Sequence, residues 1–307
     1  MVKIYNSITE MVGHTPLLRL GNLTTHLRLN TEILAKCEMY NPLFSVKDRV
    51  ALAMIEQQEK KGVVKDTVFV EATSGNTGIG LAGVCAAKGY KLIIIMPENM
   101  SLERIELIKH LGADVILTPK EDGMEGAVNK AKMLKSRQEN VVILNQFENV
   151  ANPDAHRMGT AMEILEDTGG DFDAIIAGVG TSGTITGLSS VFKTYNRDLY
   201  VAAVEPFNSA VLSGEQKGPH QIQGIGAGFV PPFYDEKLID EVVKVSDEEA
   251  IHMAKMVARI EGLLIGLSSG AAVAAAVKLA NRYDFTNKRL VAILPDSAER
   301  YLSTGLF

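Results

Sequence analysis

Tryptophan is absent from the 307 residues, aromatic residues make up only 6%, and there are two cysteines. Cys37 and Cys85 are too few and too far apart in sequence for a disulfide framework or a paired metal motif, which fits a reducing compartment. Excess positive charge is also missing: 31 Lys and Arg face 37 Asp and Glu, for a formal charge of −6, and no basic cluster occurs. The chain therefore lacks the electrostatic footprint that nucleic acid or an anionic membrane surface would require. There is no Gly-Lys dipeptide, which removes the phosphate-binding P-loop. His14, His26, His110, His156, His220 and His252 show no metal-ligand spacing with one another or with the cysteines, so no catalytic metal is implied. The longest uncharged stretch, residues 174–192, is broken by Gly, Ser and Thr around Gly180 and does not read as a membrane span. The start, Met1 to Asn6, turns polar at once and lacks the apolar centre of a secretory signal, so a cytoplasmic location is expected.

What is present is an ordinary globular balance, 46% hydrophobic and 22% charged, in a chain long enough for about two domains. Short β-branched runs recur at residues 32–36, 68–71, 92–96, 114–117, 141–144, 174–177, 200–205 and 290–294, and read as buried strands. Helical patterns lie between most of them. Their starts are legible at Asn152, an N-cap followed by Pro153, and at the capping box Ser246 to Glu249. This alternation predicts an α/β protein of two parallel-sheet domains, each sheet covered on both faces in three layers. The domain boundary falls near residues 145–152. Ligands are expected at the carboxyl ends of strands, where glycine-rich loops enter helices, in a cleft between the domains.

Four such loops carry candidate chemistry. In Asn41-Pro42-Leu43-Phe44-Ser45-Val46-Lys47-Asp48-Arg49, Ser45 can cap a helix that places Lys47 in its first turn. The helix dipole disfavours a cation there, which favours the neutral amine that covalent chemistry with a carbonyl cofactor needs. Taken alone, a solvated surface lysine balanced by Asp48 is the simpler reading. Thr73-Ser74-Gly75-Asn76-Thr77-Gly78 gathers hydroxyls, an amide and backbone N–H groups at a helix start, and reads equally as an anion site or as a capped turn. Gly178-Val179-Gly180-Thr181-Ser182-Gly183-Thr184 contains the dinucleotide fingerprint after a strand, with Glu205 at a suitable distance, and so admits an NAD-dependent oxidoreductase. Its three hydroxyls suit a single terminal phosphate better than a pyrophosphate. Gly266-Leu267-Ser268-Ser269-Gly270 matches the nucleophile elbow of serine hydrolases. Chain order argues against that fold, because no histidine follows His252, so Ser268 reads as a hydrogen-bonding residue at a helix start or simply as a cap.

These loops, in this order, resemble the cysteine synthase (O-acetylserine sulfhydrylase) family of pyridoxal-phosphate enzymes, fold type II, related to the tryptophan synthase β chain. The resemblance covers essentially the whole chain. It includes Gly13-His14-Thr15-Pro16-Leu17, Ser45 to Arg49, Thr73 to Gly78, Met100-Ser101-Leu102-Glu103-Arg104 and Gln146-Phe147. It continues through Gly180 to Thr184, Gly224-Ile225-Gly226-Ala227-Gly228-Phe229, Gly266 to Gly270 and Glu299-Arg300-Tyr301-Leu302-Ser303.

By that resemblance the cofactor is pyridoxal 5′-phosphate, held covalently by Lys47, with Asn76 beside the pyridine hydroxyl and Ser268 at the pyridine nitrogen. Gly180, Thr181, Ser182, Gly183 and Thr184 look like the phosphate cup. Thr73, Ser74, Asn76, Thr77 and Gln146 look like the holders of the substrate carboxylate. A smaller mobile substrate-binding domain (40–148) and a larger cofactor-binding domain (1–39 with 149–307) are implied. The implied reaction is β-replacement through an α-aminoacrylate, with Lys47 taking and returning the Cα proton and O-acetylserine and sulfide giving cysteine. A serine at the pyridine nitrogen does not enforce ring protonation, which favours elimination over long-lived carbanions.

Relatives that use O-phosphoserine place an arginine near the leaving group, and residues 207–230 contain none. Two departures from the family pattern stand out: Pro295-Asp296-Ser297-Ala298 replaces Pro-Ser-Ser-Gly, and Asn99 stands where Thr is common. Asp296 keeps open a relative with cysteine or serine as donor, releasing hydrogen sulfide or forming lanthionine or cystathionine. The resemblance also implies a homodimer, and a cleft able to accept the C-terminal tail of serine acetyltransferase. A pseudo-enzyme that only binds such a peptide is a further reading, opposed by the intact Lys47.

Overall fold

The computed structural model describes residues 4–305. Met1 to Lys3, part of the segment read above for a leader, lie outside them. Ten strands occur among the described residues: β1 (Leu17–Arg19), β2 (Glu32–Cys37), β3 (Val68–Ala72), β4 (Lys91–Pro97), β5 (Asp114–Thr118), β6 (Val141–Ile143), β7 (Ala174–Gly178), β8 (Tyr200–Pro206), β9 (Glu241–Val245) and β10 (Arg289–Leu294). Each of the eight β-branched runs forms one. The additional two, β1 and β9, are sheet edges. An edge strand is covered on fewer sides, so it needs less apolar sequence, and β9 carries Glu241 and Lys244. Among the described residues, no helix is long and apolar enough to cross a membrane.

The chain divides into two compact units, Met1–Val12 with Lys47–Asn152, and Gly13–Val46 with Pro153–Phe307. The first unit thus takes in residues up to Val12, which the sequence reading grouped with the larger domain. Its sheet is parallel throughout, in the order β5-β4-β3-β6. Val70, Ile95 and Val141 of the sheet pack with Ala127 and Ala131 of the helix Gly123–Arg137 on one face. On the other, helix Asn76–Lys88 approaches so closely that a Cβ on Gly78 would lie 3.5 Å from Ile94 Cγ2 and 3.0 Å from Ile108 Cδ1. Because β3 is flanked by both β4 and β6, the loops leaving the carboxyl ends of β3 and β6 are neighbours.

In the second unit the order is β1-β2-β10-β7-β8-β9, parallel except for β1. Alternation along the inner strands sorts side chains to two faces. Ile176, Ala202, Val204 and Ala292 pack with Val257 and Val273 of the helices Asp247–Glu261 and Leu267–Ala280. Ile175, Val201, Ala203 and Val291 pack with Ile164, Leu188 and Phe192 of the helices Ala161–Thr168 and Gly183–Tyr195. Helices therefore cover both faces of the sheet, as the near-continuous apolar runs require. The capping box forms, with Ser246 Oγ accepting the Glu249 N–H and the Glu249 side chain accepting the Ser246 N–H.

One helix start differs from expectation. The helix begins at Ala151, and Asn149 Oδ1 accepts the Ala151 N–H at 3.1 Å, so Asn149 does the capping. Asn152 lies inside the first turn, where its side-chain amide donates to the Gln146 carbonyl at 2.8 Å. A residue already inside the helical turn is not placed to cap it. The helix then widens into a π turn over His156–Thr160.

Cys37 and Cys85 are both free and buried, and burial pushes each thiol up to about 12. The thiolate is the reactive form. We expect a thiol-specific reagent to find neither cysteine in the native protein and both after denaturation; rapid labelling of the native form would contradict the burial.

Candidate functional site

In the first unit, β3 ends at Ala72 and the chain turns through residues 73–75 into the helix Asn76–Lys88, with Gly75 as an extended N-cap. Thr73 and Thr77 are buried, while Ser74 and Asn76 are half-buried. Thr73 Oγ1 accepts the Gly75 N–H at 3.4 Å, and Arg104 holds the turn from outside by donating to the Ser74 carbonyl at 3.2 Å. Thr77 Oγ1 donates to Gln146 Oε1 at 2.7 Å, joining residues 69 apart in sequence. The Gly78 N–H donates to the Gly75 carbonyl at 3.1 Å, and the hydroxyls, amide and helix N-terminus gathered at this end of the unit are of a kind suited to an anion.

Lys47 is the first residue of the helix Lys47–Lys60. It is half-buried, and Asp48 beside it is fully buried, so the pair is not the solvated surface couple that the local sequence allows. The carbonyl oxygen of Lys47 would lie 3.0 Å from a Cβ on Gly80, so the glycine lets the two helices touch where both begin. Lys47 and the 73–78 loop thus share one end of this unit.

A residue not singled out by sequence stands behind that loop. Glu71 is 2% exposed and its two oxygens accept the N–H groups of Asn145 at 2.7 Å and Gln146 at 3.1 Å. Burial pushes its carboxyl up to about 7, opposed by the two backbone donors. The available signal was an acid inside an otherwise apolar strand, Val68-Phe69-Val70-Glu71-Ala72.

In the second unit, β7 leads into residues 178–184 and the helix Gly183–Tyr195. Ser182 adopts φ +67°, a left-handed turn uncommon for a side-chain-bearing residue, and its hydroxyl meets that of Thr186 at 3.0 Å. Thr181 Oγ1 accepts the Gly183 N–H at 3.3 Å. A Cβ on Gly180 would overlap the carbonyl oxygen of Gly224, and a Cβ on Gly224 would lie 3.7 Å from Ser268 Oγ. The glycine loop and Ser268 are therefore linked through one backbone segment. Ser268 is buried in the first turn of the helix Leu267–Ala280. His156, from the π turn, meets the hydroxyls of Thr160 at 3.0 Å and Thr184 at 3.2 Å, a support that no spacing rule finds.

The backbone approach that only glycine allows, the left-handed turn and the hydroxyls are features that suit a loop to a single phosphate group. Residues 8–296 match the family described as "Pyridoxal-phosphate dependent enzyme". The chain belongs to that family. Within it, the chain is 52% identical to cysteine synthase A of Escherichia coli (strain K12), over 100% of this chain and 97% of the relative. The solved cysteine synthase of Entamoeba histolytica superposes with a TM-score of 0.95 at 43% identity, covering 99% of this chain and 91% of that one. A hydrogen sulfide-producing enzyme from Fusobacterium nucleatum superposes with a TM-score of 0.93 at 41% identity, covering 98% and 99%. The fold is that of the fold type II pyridoxal-phosphate enzymes, and the family match sets aside the dinucleotide reading of residues 178–183. The 178–184 loop and Ser268 fit the phosphate and ring of such a cofactor.

Proposed function

We propose that this enzyme forms L-cysteine from O-acetyl-L-serine and sulfide by β-replacement. The observation that carries the reading is the 52% identity, across the whole chain, to a cysteine synthase. Pyridoxal phosphate, when bound, supplies an electron sink for negative charge at the substrate Cα.

The chain's own residues then divide the work. Thr73, Ser74, Asn76, Thr77 and Gln146 bind the substrate carboxylate through hydroxyl, amide and helix N-terminal donors. Gly180, Thr181, Ser182, Gly183 and Thr184 bind the cofactor phosphate. Ser268 hydrogen-bonds the pyridine nitrogen without forcing a proton onto it, and Asn76 stands beside the ring hydroxyl. Lys47 Nζ holds the cofactor; once freed, it takes the Cα proton and later returns it. Its position in a helix's first turn, where the dipole opposes an ammonium, favours the basic amine.

A second reading, with cysteine as donor and hydrogen sulfide as product, is favoured by the likeness to the Fusobacterium nucleatum enzyme. Asp296, the departure noted in the sequence, accepts from the Tyr301 hydroxyl on Oδ2 at 2.6 Å. On the resemblance of the sequence, we also infer a cytoplasmic homodimer, with the C-terminal tail of serine acetyltransferase as a candidate partner.

The test is the visible spectrum of the purified protein loaded with pyridoxal phosphate. We expect a yellow protein whose band shifts on adding O-acetylserine, not serine or cysteine, and returns when sulfide is added, with cysteine as product. A shift with cysteine and not with O-acetylserine would move the assignment to the second reading. A protein that the cofactor cannot colour would remove both.

A further inference from the structure

The loop carrying Gln146 leaves the sheet abruptly. Leu144 still donates to the Val70 carbonyl at 3.1 Å, as the next rung of the β3–β6 ladder. Asn145 then turns at φ +53°, a left-handed geometry that Asn tolerates better than most residues. The next two N–H groups have lost their sheet acceptors, and Gln146 is 6% exposed, so without a replacement its N–H would stand buried and unsatisfied. The Glu71 carboxylate supplies one oxygen to each.

The rest of Gln146 is held as well. Its carbonyl accepts from Asn152 Nδ2 at 2.8 Å, and its side-chain oxygen accepts from Thr77 Oγ1 at 2.7 Å. With Oε1 engaged, the amide NH2 is the end left to donate to an anion. A neutral glutamine at position 71 could not replace the acid, because it offers one oxygen and would set an NH2 against the second N–H. A buried acid behind an anion-binding loop also opposes the anion by charge, a cost that calls for a compensating role.

We propose that Glu71 is a positioning residue for the substrate carboxylate: by accepting the Asn145 and Gln146 N–H groups it fixes the Gln146 amide against Thr77 in its donating orientation. The proposal rests on the reading of Gln146 as a carboxylate ligand. Glu71 does not touch substrate and acts only through Gln146.

The experiment is a double-mutant cycle on the loaded enzyme with Glu71→Gln, Gln146→Ala and the pair. Glu71→Gln is expected to raise KM for O-acetylserine about tenfold while leaving kcat within about twofold, the loss of one oriented hydrogen bond. In the Gln146→Ala background, Glu71→Gln should add almost nothing to KM. Multiplying effects, or a fall in kcat with KM unchanged, would overturn the proposal. A raised KM in Gln146→Ala with a wild-type KM in Glu71→Gln would overturn it alone, leaving the substrate reading intact. A wild-type KM in Gln146→Ala would remove the reading and the proposal together. If Glu71→Gln does not accumulate as folded holoenzyme, Glu71→Asp takes its place. It keeps the charge but reaches one N–H, so a KM increase of about threefold that vanishes in the Gln146→Ala background is expected. An unchanged KM would count against the proposal.

Discussion

Lys47→Ala is expected to lower turnover of O-acetylserine and sulfide by about 10⁴-fold or more, since it removes both the covalent anchor of the cofactor and the group that moves the Cα proton. The fold should survive the change. Lys47 opens its helix, where alanine is at least as good a helix former. The close approach at Gly80 involves the Lys47 carbonyl, which the substitution keeps. With the cofactor stripped from both, melting temperature and far-ultraviolet circular dichroism should therefore match the wild type, so that lost activity reports chemistry. Retained full activity in the variant would sink the assignment of Lys47.

Gly180→Ala is expected to have the second-largest effect, on cofactor retention and stability together. The new Cβ would overlap the Gly224 carbonyl oxygen, with the carbonyl carbon 3.4 Å away. Both atoms are backbone, so no rotamer change relieves the clash, and one of the two segments must move. Overpacking of this kind costs about 3 kcal/mol. A shift of the 178–184 loop would also misplace the N–H donors proposed for the phosphate. We expect pyridoxal-phosphate affinity to fall by about 100-fold if most of that cost falls on the bound form. Gly21→Ala is the control, because nothing lies within 4 Å of the Cβ it would add at the start of the helix Gly21–His26. Equal cofactor binding and melting in Gly180→Ala and wild type would refute the packing argument.

The eight strands with apolar runs, the glycine loops after β3 and β7, the capping box at Ser246 and the family itself were legible in the chain because each depends on residues close together in sequence, whereas the helix read as capped by Ser45 begins two residues after it, at Lys47. Strand runs are set by local apolar pattern, and loops and caps by hydrogen bonds spanning a few residues. The edge strands β1 and β9 of the second unit were harder to read, since an edge needs less apolar sequence and lets charges such as Lys244 intrude. Asn152 had the right composition for an N-cap, but the helix begins one residue before it, at Ala151.

Only the folded chain decided how distant groups meet: Glu71 on the N–H groups of Asn145 and Gln146, Thr77 on the Gln146 side chain, His156 on Thr184, and Gly180 against Gly224. Such contacts follow from the order of strands in a sheet and from the packing of helices on it, and no short window of residues encodes either. Amino-acid order fixed which chemical groups stand at the carboxyl ends of strands. The sheet order set which of those ends are neighbours, because a carboxylate or hydroxyl hydrogen-bonds only over about 3 Å.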